Sequence, residues 1–550
     1  MRPSRLRLIL LLSTLGCLLQ PMASAADEAV SDAINQRMEE LLFSGDLEID
    51  GAAIAARELL PQIYASRNFL PLWHRDTRIQ ELLAVLDTAP DHGLELEDYY
   101  VDPLRTLVAQ AHSKRSALDI ADLDILLTES LIRFGYHQRF GKVNPGSLDA
   151  NINFKREFLP GREPVSSIQS VVESPRPLQE QLHEAIPRGP VYVALQKHLA
   201  QYRAMAAAGG WPTVPAGPTL RPGDRDARVV ALRQRLAVTG DLPASADLTS
   251  DLFDASLQDA VETFQKRHAL ASDGMVGQQS LMALNVPVQD RIDQIRLSLE
   301  RLRWVQSELS EAFVVVNIAG FQVFLIRQQQ LVWIARAMVG TPYRQTPVFR
   351  GNLRYLELNP TWTIPPGILS QDTLPAIKRD PNYLKRKRIS VLDPDGRRVD
   401  PSTVNWQAYT TRLPYTLRQE PGPDNALGRI KFIFPNSHFV FLHDTPGREL
   451  FDRAERTFSS GCIRIENPLE FAELLLDDPQ RWSLSALRQA VDSGKTQRLN
   501  LREPMPVLIV YLTATIEPEW GIRFLKDVYK RDQKLLQALN GDIRIELPKT

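Results

Sequence analysis

The spacing of apolar residues divides the chain into regions of different secondary structure. Through residues 27–208 they recur every three or four positions, as in IADLDILLTESLIRFGYHQRF, which predicts a helical domain. Residues 209–220 are rich in glycine and proline, which predicts a linker. Three short amphipathic stretches within residues 221–287 predict a small three-helix bundle, and residues 288–309 predict a connecting helix.

The pattern changes after residue 309. Short runs of β-branched and aromatic residues, such as EAFVVVNIAGFQVFLIR and PVLIVYLTAT, predict a mainly β domain over residues 310–515. Within it, residues 371–425 are charged, proline-rich and partly helical, which indicates an insertion that is either a lid or a simple elaboration. Residues 516–550 predict a C-terminal helical segment. The predicted fold class is therefore multidomain α+β.

The N-terminus has the pattern of a secretory signal peptide. In MRPSRLRLILLLSTLGCLLQPMASAADEA, three arginines precede an apolar run and an Ala-Ser-Ala site, so we expect residues 1–25 to be removed on export. The run Leu8–Leu19 is shorter than the roughly 20 residues that cross a hydrocarbon core. Lipidation at Cys17 is the weaker reading, because Thr14-Leu15-Gly16 matches a lipoprotein box poorly. We expect no transmembrane segment in the mature chain.

The net charge and the cysteine content limit the kinds of function that the chain can have. The 550-residue chain has a net charge of −1, which offers no basic field and excludes nucleic acid as an expected partner. Of its two cysteines, Cys17 lies in the predicted signal peptide, so the mature chain keeps Cys462 alone. An exported thiol is normally paired. Cys462 is therefore either a buried apolar filler or a functional group.

The neighbours of Cys462 favour a catalytic role. In RTFSSGCIRIENP, Gly461 allows a tight turn, and its amide together with that of Cys462 could bind an oxyanion. A thiol near its ordinary pKa is mostly protonated at pH 7, and His443, 19 positions upstream, is a candidate base. His438 is a rival, but His443 stands at the end of a predicted strand, where side chains become accessible. These groups are sufficient for acyl transfer.

Arg464 has two possible roles. If this stretch is extended, Arg464 lies on the same side as Cys462 and could bind a substrate carboxylate with two hydrogen bonds. It could instead be held by Glu466 or another acid as scaffolding, which is the reading we prefer from the sequence.

Several motifs resemble known families. The FLHD stretch followed by SSGCIRI resembles the signature of L,D-transpeptidases with a YkuD-type catalytic domain. NPTWTIPPGIL, NALGRIKFIFPN, YASRNFLPLW and DHGLELEDYY extend the likeness to the large, YcbB-like three-domain subgroup. RVVALRQRL, AVETFQKRHAL, DGMVG and LMALN are similar to the three-helix type of peptidoglycan-binding domain.

The resemblance implies roles for the predicted regions and residues. Residues 27–208 would be a scaffold domain, 221–287 a peptidoglycan-binding domain, and 310–515 the catalytic domain with 371–425 as a capping insertion. Cys462 would be the nucleophile and His443 the proton acceptor and donor, oriented by the backbone carbonyl of Asp444. The implied substrate-binding set is Trp362, Ser459, Ser460 and Arg464. Most of the family has histidine where this chain has Ser460, so no role of that histidine is transferred.

The resemblance also implies a reaction. Cys462 would attack the diaminopimelate carbonyl of a tetrapeptide stem in periplasmic peptidoglycan, release D-alanine and form a thioester. The amine of a second diaminopimelate would then give a 3→3 cross-link, with no metal or organic cofactor and with other wall-synthesis proteins as possible partners. Two alternatives stay open: a thiol hydrolase of the same fold that shortens or cuts wall peptides, and a wall-binding scaffold with an inert thiol.

Overall fold

The computed structural model describes residues 25–110, 116–156, 163–186 and 188–545. Cys17 and residues 1–24 of the predicted signal peptide lie outside the described residues. The helices are α1 Ala25–Ser44, α2 Leu59–Ala65, α3 Asp76–Leu86, α4 Val101–Ala109, α5 Ala117–Phe140, α6 Pro145–Leu148, α7 Pro164–Glu173, α8 Leu178–Ala185, α9 Pro190–Ala207, α10 Arg228–Val238, α11 Ala255–Arg267, α12 Gln278–Leu284, α13 Val288–Val305, α14 Pro366–Ile368, α15 Leu374–Arg379, α16 Tyr383–Arg386, α17 Pro468–Leu476, α18 Leu484–Asp492 and α19 Asp532–Leu539.

The strands follow the same numbering in chain order. They are β1 Glu48–Ile49, β2 Ala52–Ala53, β3 Ala312–Asn317, β4 Gln322–Arg327, β5 Gln330–Gly340, β6 Phe349–Leu358, β7 Trp362–Thr363, β8 Ile389–Leu392, β9 Arg398–Val399, β10 Thr416–Gln419, β11 Ile430–Ile433, β12 Leu442–His443, β13 Thr457–Ser459, β14 Ile463–Ile465, β15 Gln497–Val510, β16 Ala514–Glu517 and β17 Gly521–Phe524. Helices precede residue 309 and the large sheet follows it, so the predicted α+β class is confirmed.

Two compact units make up the chain. Over the described residues, the first comprises 25–86, 99–110, 116–133 and 163–179, and the second comprises 87–98, 134–156, 180–186 and 188–545. In the first unit, the buried carboxylate of Asp124 accepts hydrogen bonds from the Tyr64 hydroxyl at 2.7 Å and from the amides of Leu72 and Trp73 at 3.0 and 2.8 Å. This network ties the loop between α2 and α3 to α5.

A closed sheet forms the centre of the second unit. Its strand order is β13-β5-β14-β12-β11-β6-β15-β3-β4, and a further pairing of β4 with β5 joins the two sides. Most pairs are antiparallel, but three are parallel: β12 with β14, β15 with β3, and β13 with β5. Closure leaves few free strand edges and holds the register of the central strands.

A second cluster supports the sheet. Apolar residues of α9 and α13 pack with Ala514, Ile522 and Phe524 of the β16–β17 hairpin. Our prediction of a helical C-terminal segment over 516–550 is wrong for this hairpin, because alternating residues of ATIE and GIRF bury one face against those helices. Within the described part of that segment, α19 provides the helical portion.

Two smaller structures belong to the same unit. The helices α10, α11 and α12 share an apolar core that includes Val229, Leu232, Leu257 and Phe264. The predicted insertion contains a four-stranded sheet, β7-β10-β8-β9, with its own apolar cluster. Because β7 begins at Trp362, this capping subdomain starts before residue 371. In the part of the chain that the structure describes, no helix has the length and apolarity needed to span a membrane.

Candidate active site

The register of three central strands brings the predicted nucleophile and base to one face. His443 of β12 lies opposite Arg464 of β14 in a parallel pair. Cys462 is two positions before Arg464, so its side chain lies on the same face as that of His443. Cys462, just before β14, and His443 are therefore diagonal neighbours on one face of the sheet.

The imidazole of His443 is held in one orientation. Its Nδ1 donates a hydrogen bond of 2.5 Å to the carbonyl of Asp444, which fixes the proton on Nδ1 and leaves Nε2 able to accept one. Burial lowers the pKa of His443 to about 3, and the nearby charges of Arg464 and Lys431 add to this shift, while the carbonyls of Asp444 and Leu427 oppose it. The ring is therefore neutral at pH 7.

The thiol of Cys462 is also in its neutral form. Burial raises its pKa, and a hydrogen bond from the Phe441 amide and the charges of Lys431 and Arg464 oppose that rise. Its Sγ contacts the carbonyl of Phe439 at 3.7 Å. Over the described residues, no hydrogen bond joins Sγ to His443, so the thiol must rotate from this carbonyl before His443 can take its proton.

Phe439 combines two unusual features next to the thiol. Its side chain is 76% exposed, and its φ of 55° lies in the left-handed region, which is costly for a bulky residue. The turn at Phe439 points its carbonyl toward Sγ.

The turn before Cys462 is braced by buried hydroxyls. Ser459 donates a 2.5 Å hydrogen bond to the carbonyl of Cys462 and accepts one of 3.1 Å from the amide of Gly461. Contrary to our prediction, the Gly461 amide is thus already engaged and offers no free oxyanion donor. In the described residues the amide of Cys462 makes no hydrogen bond, so it is the better candidate for that role.

Ser459 and Ser460 differ in accessibility. Ser459 is buried and bonds to the backbone, which makes it a brace of the turn and not a group that substrate can reach. Ser460 is exposed and accepts a 2.9 Å hydrogen bond from Arg344, which also bonds to Asp372 at 2.6 Å and to Gln371 at 2.5 Å. Arg344 thereby links the capping subdomain to the residue two positions before the nucleophile.

The remaining predicted residues have varied settings. Glu466 forms a two-point ion pair with Arg336, at 2.8 and 2.6 Å, so it does not hold Arg464 as we expected. Trp362 packs on the apolar cluster of the capping subdomain. The ring of His438 packs on Phe349, with ring centroids 4.7 Å apart, which fits a structural histidine.

Comparisons with known proteins identify the domains. Residues 311–492 match the L,D-transpeptidase catalytic domain (YkuD), residues 58–199 match a scaffold domain, and residues 225–284 match a family provisionally described as a peptidoglycan-binding domain. The chain carries a catalytic domain of the L,D-transpeptidase family. Its strands β11, β12 and β14 and all the site residues described above lie inside the matched L,D-transpeptidase region.

Relatives of this chain include a Haemophilus influenzae protein that is itself provisionally named an L,D-transpeptidase. The two are 34% identical over 281 residues, which cover 50% of this chain and 56% of the relative. An N-acetylmuramoyl-L-alanine amidase of Mycobacterium tuberculosis is 39% identical over 75 residues, covering 12% of this chain and 18% of that protein. The chain thus spans about half, or less, of the length of these curated relatives.

Solved structures of L,D-transpeptidases have a remote likeness to this chain. One from Xylanimonas cellulosilytica is 16% identical with a TM-score of 0.16, covering 54% of this chain and 98% of that one. One from Mycobacterium smegmatis is 13% identical with a TM-score of 0.18, covering 36% and 58%. At these TM-scores, the likeness adds no support for fold or function.

Sequence reasoning missed three residues of the candidate site: Lys431, Arg344 and Thr346. Lys431 lies opposite His443 in the β11–β12 pair, so it flanks the imidazole on the side away from Arg464. The hydroxyl of Thr346 donates to the Gly461 carbonyl at 2.8 Å and accepts from the Gly340 amide at 2.9 Å. The alternation of charged and apolar residues in GRIKFIF was the available signal for Lys431, while nothing local marks the other two.

Proposed function

We propose that this protein is a peptidoglycan L,D-transpeptidase that forms 3→3 cross-links through a thioester on Cys462. The observation that carries the proposal is the strand register, which sets Cys462 and His443 on one face of β12 and β14 in a region that matches the L,D-transpeptidase catalytic domain. The hydrogen bond from His443 to the Asp444 carbonyl supports it, because Nε2 is left as a proton acceptor.

The proposed acylation begins from neutral partners. After the thiol rotates away from Phe439, Nε2 of His443 takes its proton while Sγ bonds to the diaminopimelate carbonyl carbon. The amide of Cys462 stabilises the oxyanion, the C–N bond breaks, and the D-alanine amine leaves with the proton from His443. A thioester and neutral His443 remain.

The second half of the proposed reaction reverses these roles. The amine of a second diaminopimelate attacks the thioester, His443 takes a proton from that amine, and the proton returns to sulfur as the C–S bond breaks. Water can replace the amine, and the enzyme then acts as a carboxypeptidase. The capping subdomain, linked to Ser460 by Arg344, is suited to limit that access.

The remaining domains would position the peptidoglycan polymer and direct the protein to it. The α10–α12 bundle, which lies in the peptidoglycan-binding match, would hold glycan strands near the site and raise the effective concentration of stems. The signal-like N-terminus supports export and action in the periplasm.

Intact-mass measurement tests the proposal. Mixed with a purified tetrapeptide donor, the wild-type protein should gain the mass of the donor minus D-alanine, and added acceptor stems should convert this adduct into dimers. Cys462→Ala should show no adduct, while Ser460→Ala keeps the thiol and should still form one. Shortened stems without dimers would favour the hydrolase. A wild-type protein that forms no adduct and releases no D-alanine would refute both enzyme readings.

A further inference from the structure

Lys431, His443 and Arg464 form a row across three neighbouring strands. Lys431 lies opposite His443 in the antiparallel β11–β12 pair, and His443 lies opposite Arg464 in the parallel β12–β14 pair. Residues directly opposite each other lie on one face of a sheet. The imidazole of the proposed base therefore has a cation on each side.

We propose that Lys431 and Arg464 bind the carboxylate of the residue that leaves, so that a free carboxylate next to the scissile bond determines which donor stems react. This inference rests on the function proposed above and adds a specificity-determining pair to it. The sequence alone makes Arg464 a candidate to bind a substrate carboxylate. Its partnership with Lys431 follows only from the strand register.

In the part of the chain that the structure describes, no acidic side chain forms an ion pair with either cation. Nε of Arg464 is buried without a hydrogen bond, and no acidic oxygen of the described residues forms an ion pair with Arg464. Glu466, the nearest acid in sequence, is held by Arg336 at 2.6 Å. A partly buried guanidinium without a counter-charge is costly, and an anionic ligand would relieve that cost.

Lys431 is in a similar position. Its Nζ lies 3.9 Å from the centre of the Phe441 ring, a contact that orients the amine without neutralising it. Glu357 is its cross-strand neighbour on β6 and attracts it, but no ion pair within bonding distance joins the two in the described residues. Burial lowers the pKa of Lys431, which shows that this cation is partly desolvated.

The geometry of the reaction places a carboxylate between these cations. His443 can protonate the leaving amine only if that nitrogen lies within about 3 Å of Nε2. In an amino acid the carboxyl carbon is two bonds from the amine, so its oxygens lie within about 4 Å of that nitrogen. Neighbouring strands are about 4.8 Å apart, so the long side chains of Lys431 and Arg464 span the region around Nε2.

The donor stem has two carboxylates near the scissile bond, one at its C-terminus and one on the diaminopimelate side chain. The experiment tests which of them Lys431 and Arg464 bind. Three donors are compared: a tetrapeptide with a free C-terminus, the same peptide with a C-terminal carboxamide, and one amidated at the diaminopimelate side chain. The rate constant kcat/KM for release of the leaving residue is measured for wild type, Lys431→Met, Arg464→Met, Lys431→Arg and the control Lys197→Met, an exposed residue of α9.

Wild type and Lys197→Met should favour the free C-terminus over the C-terminal amide by about 10- to 100-fold, the range expected for charge-assisted hydrogen bonds. Lys431→Met and Arg464→Met should each lose most of that preference, mainly through slower reaction of the free acid. Lys431→Arg keeps the charge and should retain it. Amidation of the diaminopimelate side chain should leave kcat/KM of the donor with a free C-terminus nearly unchanged.

Three results would overturn the inference. Wild type could react equally with acid and amide, Lys431→Met could slow both equally, or the preference could follow the side-chain carboxylate. Because the acid-to-amide ratio is an internal measure in each protein, partial misfolding of a variant does not mimic the expected result. A wild type that forms the thioester but shows no preference refutes only this inference, whereas one that forms no adduct refutes the proposed function.

Discussion

Thr346 is a buried residue whose hydroxyl joins the turn before Cys462 to the end of strand β5. It is 0% exposed, donates to the carbonyl of Gly461 at 2.8 Å, and accepts from the amide of Gly340 at 2.9 Å. Its own amide donates to the hydroxyl of Tyr529 at 3.1 Å. Thr346→Val keeps the shape of the side chain and removes both hydroxyl contacts, while Thr346→Ser keeps the hydroxyl and removes a methyl group.

The magnitude follows from the two groups left without a partner. Gly340 and Gly461 are both buried, and an unsatisfied buried backbone group costs about 1–3 kcal/mol. Thr346→Val should therefore lower the free energy of unfolding of the second unit by about 2–5 kcal/mol. Thr346→Ser should lose only about 0.5–1.5 kcal/mol, because it creates a methyl-sized cavity and no unpaired group.

The same change should slow acylation. Gly461 precedes Cys462, so a shift of its carbonyl moves the thiol relative to His443, and small displacements of reacting groups cost about 10- to 100-fold in rate. Urea unfolding followed by near-ultraviolet circular dichroism gives the stability, and time-resolved intact mass gives the acylation rate with a tetrapeptide donor. If Thr346→Val matched Thr346→Ser in both measurements, the hydroxyl would not hold this turn.

Two further predictions concern His443 and Gly461. The pKa of His443 is about 3 in the folded chain, against 6.5 for a free histidine. Below pH 6.5 the unfolded chain therefore binds a proton that the folded chain does not bind. As a result, the free energy of unfolding falls as the pH drops toward 3. Between pH 7 and pH 5, His443→Gln should remove about 2 kcal/mol of the acid-induced loss in unfolding free energy, and an unchanged loss in urea titrations at the two pH values would contradict this. Gly461 has a φ of 112°, and the nearest atom to an added Cβ is the Gln345 carbonyl oxygen at 3.6 Å, so Gly461→Ala would be strained and not crowded. It should slow adduct formation with the tetrapeptide about 10-fold or more, and a wild-type adduct rate would show that the turn tolerates a side chain.

Local pattern was enough for much of the fold. The stretch EAFVVVNIAGFQVFLIR, which predicts β structure, is present as strands β3 and β4, and the helical periodicity before residue 309 corresponds to real helices. The β16–β17 hairpin was missed because its short strands are stabilised by burial against α9 and α13, which are distant in sequence. Propensity over a few residues carries no information about such contacts.

For the site, sequence reasoning identified chemical types more readily than contacts. Cys462, His443 and the carbonyl of Asp444 lie in one region, since the motif residues sit at the ends of β12 and the start of β14. The pairing of Lys431 with His443 depends on which strands are neighbours, and the ion pair of Glu466 with Arg336 joins residues 130 positions apart. Neither can be read from spacing along the chain.

The two cations beside His443 have opposite effects on the two reacting groups. Their positive field lowers the pKa of the thiol, which favours the thiolate, but it also lowers the pKa of the imidazole, which weakens the base. In the resting enzyme these effects oppose one another, and the thiol stays neutral against the Phe439 carbonyl. A carboxylate bound between Lys431 and Arg464 would cancel much of that field and raise the pKa of both groups as the scissile bond arrives. The base would become stronger and the thiol less acidic together, so the field of the two cations alone gives the proton transfer no direction. The attack of sulfur on the carbonyl carbon must supply that direction.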